Sequence, residues 1–109
     1  MSYKVKTTDV FEKQAKRLLK KYTSLKAELL VLVKELKEHP TQGISIGNNC
    51  YKIRIAIASK GKGKSGGARL ITNFIIAEET VYLISIYDKS ERENLTAKEL
   101  EELLKHLPQ

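Results

Sequence analysis

Lys52 and Arg54 stand in the run Tyr51-Lys52-Ile53-Arg54-Ile55-Ala56-Ile57-Ala58. Its apolar residues recur with a period of two. In an extended chain Tyr51, Ile53, Ile55 and Ile57 point one way, and Lys52, Arg54, Ala56 and Ala58 the other. The two cations therefore share a face. Arg69 opens the next β-rich run and can approach them. Such a cluster offers three things to phosphodiester chemistry. It orients the scissile phosphate. It stabilises the extra negative charge of a pentacoordinate transition state. It also lowers a lysine pKa, since neighbouring like charge disfavours the ammonium, and a lysine so tuned can act as general base on a ribose 2′-OH. No metal or other cofactor is called for. The ordinary alternative is a pair of solvated cations on an exposed strand face.

A second cationic feature is Ser59-Lys60-Gly61-Lys62-Gly63-Lys64-Ser65-Gly66-Gly67. Lys60, Lys62 and Lys64 alternate with glycines, so the segment can mould to a phosphate backbone. Gly63-Lys64-Ser65 resembles the end of a nucleotide-binding P-loop, but that pattern needs a glycine where Ala58 stands and a helix where a strand follows. The loop is read as a grip on RNA rather than a nucleotide pocket, or as a hairpin loop kept soluble by lysine. Tyr87-Asp88-Lys89 closes a third apolar run. Tyr87 is read either as a base-stacking residue or as a half-buried edge residue. Lys89 either joins the basic face or pairs with a neighbouring acid.

Charge distribution supports a polyanionic partner. The 109 residues carry a net charge of +7. Residues 1–38 hold 10 Lys/Arg and 5 Asp/Glu; residues 78–109 hold 4 and 8. Between them, residues 39–77 hold 6 cations and no acid. Carboxylates in that stretch would repel phosphates, and their absence favours a phosphate-rich ligand.

Other chemistries find little support. One cysteine, Cys50, and two distant histidines, His39 and His106, give no zinc-ligand spacing and no plausible hydrolase triad. Both histidines fall at expected helix ends. No apolar run approaches the roughly 20 residues that span a bilayer, and the N-terminal residues lack the apolar core of a secretory signal. The expected setting is cytoplasmic, without membrane contact.

The elements that must position these residues read β-α-α-β-β-β-α. Tyr3–Lys6 alternates as a short strand. Thr7, Thr8 and Asp9 offer helix N-caps, and Phe11, Ala15, Leu18, Leu19 and Tyr22 recur at helical spacing. Leu25, Leu29, Leu32 and Leu36 stripe a second helix that His39-Pro40 ends. Thr41–Asn49 reads as loop or a short irregular strand. Strands follow from Tyr51, over Arg69–Ala77 and over Val81–Tyr87, as an antiparallel meander. Thr96 and Glu99 form a capping box for a last helix carrying Leu100, Leu103, Leu104 and Leu107. The expectation is one α+β domain over 1–109, with a small antiparallel-dominated sheet packed against a two-helix hairpin. The sheet face with Lys52 and Arg54 is expected to stay accessible.

The sequence also resembles the RelE/HigB family of toxins from bacterial toxin–antitoxin modules, within the RelE/ParE superfamily. Matching segments run from Phe11 to Leu104. They include Phe11-Glu12-Lys13-Gln14-Ala15-Lys16-Arg17-Leu18, Cys50-Tyr51-Lys52-Ile53-Arg54, the Ser59–Arg69 stretch and Val81–Glu91. The resemblance implies a RelE-like fold and metal-independent, ribosome-dependent endonucleolytic cleavage of mRNA. It places Lys52, Arg54, Arg69 and Lys89 in catalytic positions. It also implies a cognate antitoxin, expected to be of helix-turn-helix type, through which alone DNA would be met. One departure stands out. Relatives often carry a late tyrosine or histidine that helps catalysis, and Arg92-Glu93-Asn94-Leu95 has neither. Two rival readings are a ParE-like gyrase inhibitor that binds protein and cuts nothing, and a catalytically silent RNA- or ribosome-binding relative.

Overall fold

A computed structural model describes residues 2–58, 66–92 and 94–108. Strand β1 (Lys4–Thr7) leads into helices α1 (Asp9–Lys21) and α2 (Leu25–Glu38). Strands β2 (Ile44–Gly47), β3 (Cys50–Ile55), β4 (Ala68–Ile75) and β5 (Thr80–Asp88) follow, then helix α3 (Ala97–Leu104). The sheet order is β1-β5-β4-β3-β2. β2 to β5 form an antiparallel meander, and β1 joins β5 in parallel. The fold is α+β as expected, with a mixed sheet of five strands rather than four.

The extra strand is β2, in the stretch left open between loop and strand. Asn48 and Asn49 both take positive φ, 53° and 60°. That is the backbone of a two-residue hairpin turn whose twist suits the flanking strands, and asparagine tolerates it better than most residues. A short strand therefore folds back on β3. β4 ends earlier than expected, because Ile76–Glu78 forms a turn of 3-10 helix before Glu79 enters the left-handed region at φ 52°.

Both clear helix starts are set by threonines. Thr8 Oγ1 accepts from the Phe11 N–H (3.3 Å) at α1. Thr96 Oγ1 accepts from Glu99 N–H (3.1 Å) while Glu99 Oε1 accepts from Thr96 N–H (3.0 Å), completing the capping box at α3. Each cap satisfies donors that would otherwise lack a partner in the first turn.

The core divides across the sheet. On one face α1 and α2 bury Phe11, Leu18, Leu25 and Leu36 against Ile53, Ile55, Leu70 and Leu83. On the other, Leu100 of α3 packs with Cys50, Ile71, Tyr82, Ile84 and Tyr87, flanked by Leu95, Leu103, Leu104 and Leu107. The second face is thus not fully open, which corrects the expectation of an uncovered basic face: α3 needs somewhere to bury its leucines, and it uses this one. Cys50 is fully buried. No helix among the described residues is long and apolar enough to cross a membrane.

Candidate active site

The register of β3, β4 and β5 assembles the site. Arg54 pairs with Arg69 across β3 and β4, and Arg69 pairs with Tyr87 across β4 and β5. Their sequence neighbours Ile53, Ile55, Leu70 and Ile86 all lie in the helix-hairpin core. The row Arg54–Arg69–Tyr87 therefore stands on the opposite face. Lys52 lies two residues along β3 on that same face, opposite Ile71.

Two arginines directly opposite in an antiparallel pair repel one another, and such pairs are normally avoided. Arg54 is exposed, but Arg69 is only 4% exposed. Burial draws the Arg69 guanidinium below its usual range, and Arg54 adds to this, while Tyr87 opposes it. Arginine stays protonated at neutral pH all the same. One Arg69 nitrogen, Nη1, donates to the Ala68 carbonyl (3.1 Å). A concentrated positive charge is thus held in place by the sheet itself.

Lys52 borders a second feature. A cleft of about 180 Å³ lies between it, Ile46, Ile71 and the start of α3 at Leu95, Thr96 and Leu100. Lys89 comes from the turn after β5. Its N–H donates to the Gly67 carbonyl (3.1 Å), just past the Ala68–Asp88 pair. Gly67 is needed there: a Cβ would lie 1.9 Å from the Ile55 carbonyl oxygen. The turn is fixed further by Asp88, which is fully buried. Asp88 Oδ2 accepts from the Tyr22 hydroxyl (2.7 Å), and Oδ1 accepts from Ser90 N–H (2.9 Å) and Ser90 Oγ (2.8 Å). Arg17 then clamps Glu91 with two bonds, of 2.7 and 3.3 Å. That contact, hydrogen bonding first, holds the Glu91 carboxyl below its usual range, against the opposing effects of burial and of Asp88.

Tyr87 differs from expectation. It is 7% exposed, with its ring in the α3-side core, rather than half-buried at an edge. Its hydroxyl is buried with no hydrogen-bond partner among the described residues. Burial pushes the phenol up, against the pull of Arg69 and Arg92. A cavity of about 290 Å³ lies beside it, lined by Gln14, Ser85, Arg92, Leu103 and His106 among others. Arg92 reaches Glu99 of α3 in an ion pair.

Of the residues singled out in the sequence, Arg54, Arg69 and Tyr87 form one row, with Lys52 beside it. Lys89 follows the last strand at one end of the row. Lys60, Lys62 and Lys64 fall outside the described residues. Sequence reasoning missed Asp88 and Tyr22, which fix the Lys89 turn; Asp88-Lys89-Ser90 carries the Asx-turn signal that pointed to Asp88. It also set His106 aside, although the fold brings it to the Tyr87 cavity.

A mixed five-stranded sheet with a helical hairpin on one face and a cationic row on the other defines a small α+β protein of RelE-like architecture. The family model described as the RelE toxin of the RelE/RelB toxin–antitoxin system matches residues 4–107, and the chain belongs to that family. It is a toxin of a toxin–antitoxin module, and a cognate antitoxin goes with that membership. Two solved structures share the fold. The free form of a double-arginine mutant of the E. coli toxin RelE superposes with a TM-score of 0.63 at 19% identity, covering 99% of this chain and 100% of that one. The isolated E. coli RelE toxin gives 0.59 at 20% identity, covering 97% and 100%.

Proposed function

We propose that this toxin domain, residues 1–109, inhibits translation by cutting messenger RNA on the ribosome, in the cytoplasm and without a metal ion. The observation that carries this reading is the Arg54–Arg69 pair. Two like charges face each other across adjacent strands, within a 39-residue stretch that holds no acid. Positive charge concentrated in this way attracts an anion to the pair. Arg54 and Arg69 hold the scissile phosphate and stabilise the developing charge. Lys52, beside them on the same face, takes the 2′-OH proton or holds the phosphate. Lys89 assists from the end of the row. In-line attack by the 2′-oxygen breaks the bond to the 5′-oxygen, which takes a proton from water as it leaves and becomes a 5′-hydroxyl, and the upstream fragment ends in a 2′,3′-cyclic phosphate. The Lys60, Lys62 and Lys64 loop grips RNA. The antitoxin, of helix-turn-helix type, silences the toxin by covering the basic row or by displacing a terminal element, and DNA is met only through that complex.

Primer extension on cellular messages after induction tests this. Ribosome-phased cuts are expected, and they should vanish with the Lys52→Ala/Arg69→Ala double variant together with the growth arrest. DNA damage without message cuts would favour a ParE-like gyrase inhibitor. Ribosome binding without any cuts would favour a silent RNA-binding relative.

A further inference from the structure

A second cationic surface lies on the far side of the molecule. From Lys13 to Ala27 the chain contains no acid and six cations. Five of them, Lys13, Lys16, Arg17, Lys20 and Lys21, belong to α1 and are exposed. At 100° per residue they fall within an arc of about 140°, and Lys13 and Lys20 lie about 10 Å apart along the axis. The opposite side of α1 buries Phe11, Ala15 and Leu18 against the sheet. The ridge therefore points away from the sheet, while Arg54 and Arg69 stand on the sheet's other face. Arg17 is occupied by Glu91. Lys13, Lys16, Lys20 and Lys21 border two shallow grooves along the helix, one of which Glu12 also lines.

We infer that this ridge is a second RNA-binding surface, which takes the phosphate backbone of double-stranded RNA. The chemistry of the ridge selects among partners. Lysine is a mobile point charge suited to phosphates, whereas protein interfaces are depleted in lysine and anchored by aromatic residues and arginine. Apart from Arg17 the ridge is made of lysines, with the Lys21 ammonium 5.3 Å from the centre of the half-buried Tyr22 ring, and no aromatic residue of α1 is exposed. A membrane surface fits poorly, because an interfacial helix inserts its apolar side and that of α1 is buried in the core. An RNA duplex offers closely spaced phosphates and is recognised through shape and backbone without base reading. The molecule would thus hold single-stranded message on one face and structured RNA on the other. This use of the ridge rests on the proposed cleavage of ribosome-bound message, but its test does not involve cleavage.

The test is binding of the full chain to a short fluorescent RNA duplex, measured by anisotropy across a series of salt concentrations. Three proteins are compared: the unaltered chain, the ridge variant Lys13→Gln/Lys16→Gln/Lys20→Gln/Lys21→Gln, and a control with equal charge removed elsewhere, Lys4→Gln/Lys6→Gln/Lys34→Gln/Lys37→Gln. All eight lysines are exposed, and circular dichroism checks the fold of each variant. Each lost phosphate contact removes close to one unit from the slope of log affinity against log salt, so the ridge variant should lose about 3 units. The control should stay within about one unit of the unaltered chain. Equal losses in both variants would reduce the ridge to net charge and overturn the inference, as would an unchanged slope in the ridge variant. A chain that binds duplex through the ridge yet cuts no message leaves this inference standing and sinks the proposed cleavage. Cleavage with no duplex binding does the reverse.

Discussion

The two faces of the sheet are built from the same strands but follow different rules. On the helix-hairpin side the inward residues are almost all apolar, and the helices cover them completely enough that Leu18, Leu25 and Leu36 have no exposed surface. On the α3 side an apolar patch around Ile71, Ile84 and Leu100 adjoins a row of two arginines and a tyrosine. The first face maximises burial. The second tolerates like charges in register. Apolar burial dominates one side of the strands and the cationic row stands on the other, so each strand serves both through the alternation of its side chains.

The largest effect should come from the first face. Leu18→Ala removes a fully buried side chain between α1 and the sheet, and should cost about 3 kcal/mol in a denaturant melt, with toxicity lost only through unfolding. An intermediate effect of opposite sign is expected on the second face. Tyr87→Phe removes a buried hydroxyl that has no hydrogen-bond partner among the described residues, and should leave stability unchanged or raise it by about 1 kcal/mol. A clear loss of stability in that variant would mean the hydroxyl is structurally engaged. The smallest effect concerns the turn that carries Lys89. The carboxyl of Glu91 is held below its usual range by Arg17, so the pair adds stability above the unfolded-state pKa of Glu91 and loses it as pH falls through the lower folded-state value. Glu91→Gln should therefore lower the melting temperature slightly at neutral pH, with the gap closing under acid conditions. Both groups are solvent-exposed, so the gap should also shrink with salt.

Much of this division was legible in the residues. Period-two alternation from Tyr51 put Lys52 and Arg54 on one face, and the leucine stripe of residues 25–36 identified the helix that covers the other. The capping box at Thr96 located α3. What the alternation left unspecified was long-range register. The pairing of Arg54 with Arg69, and of Arg69 with Tyr87, depends on where the hairpins turn, and no local pattern encodes that. The burial of Tyr87 depends on where α3 docks, which follows from the packing of Leu95, Leu100 and Leu103 rather than from anything near Tyr87 itself. β2 escaped a firm assignment because four residues with two isoleucines, Ile44-Ser45-Ile46-Gly47, give too short a period to separate strand from loop. Asp88 looked like an ordinary turn acid until the fold brought Tyr22 against it across 66 positions of sequence.

The central claim is that the Arg54–Arg69 row with Lys52 performs phosphodiester cleavage. The most direct measurement is the end chemistry of a labelled message incubated with purified ribosomes and purified toxin. The account predicts cuts that require ribosomes and leave a 2′,3′-cyclic phosphate upstream and a 5′-hydroxyl downstream, and no cuts with the folded Lys52→Ala/Arg69→Ala protein. A folded double variant that still cuts, or an unaltered toxin that leaves ribosome-bound message intact, would contradict it.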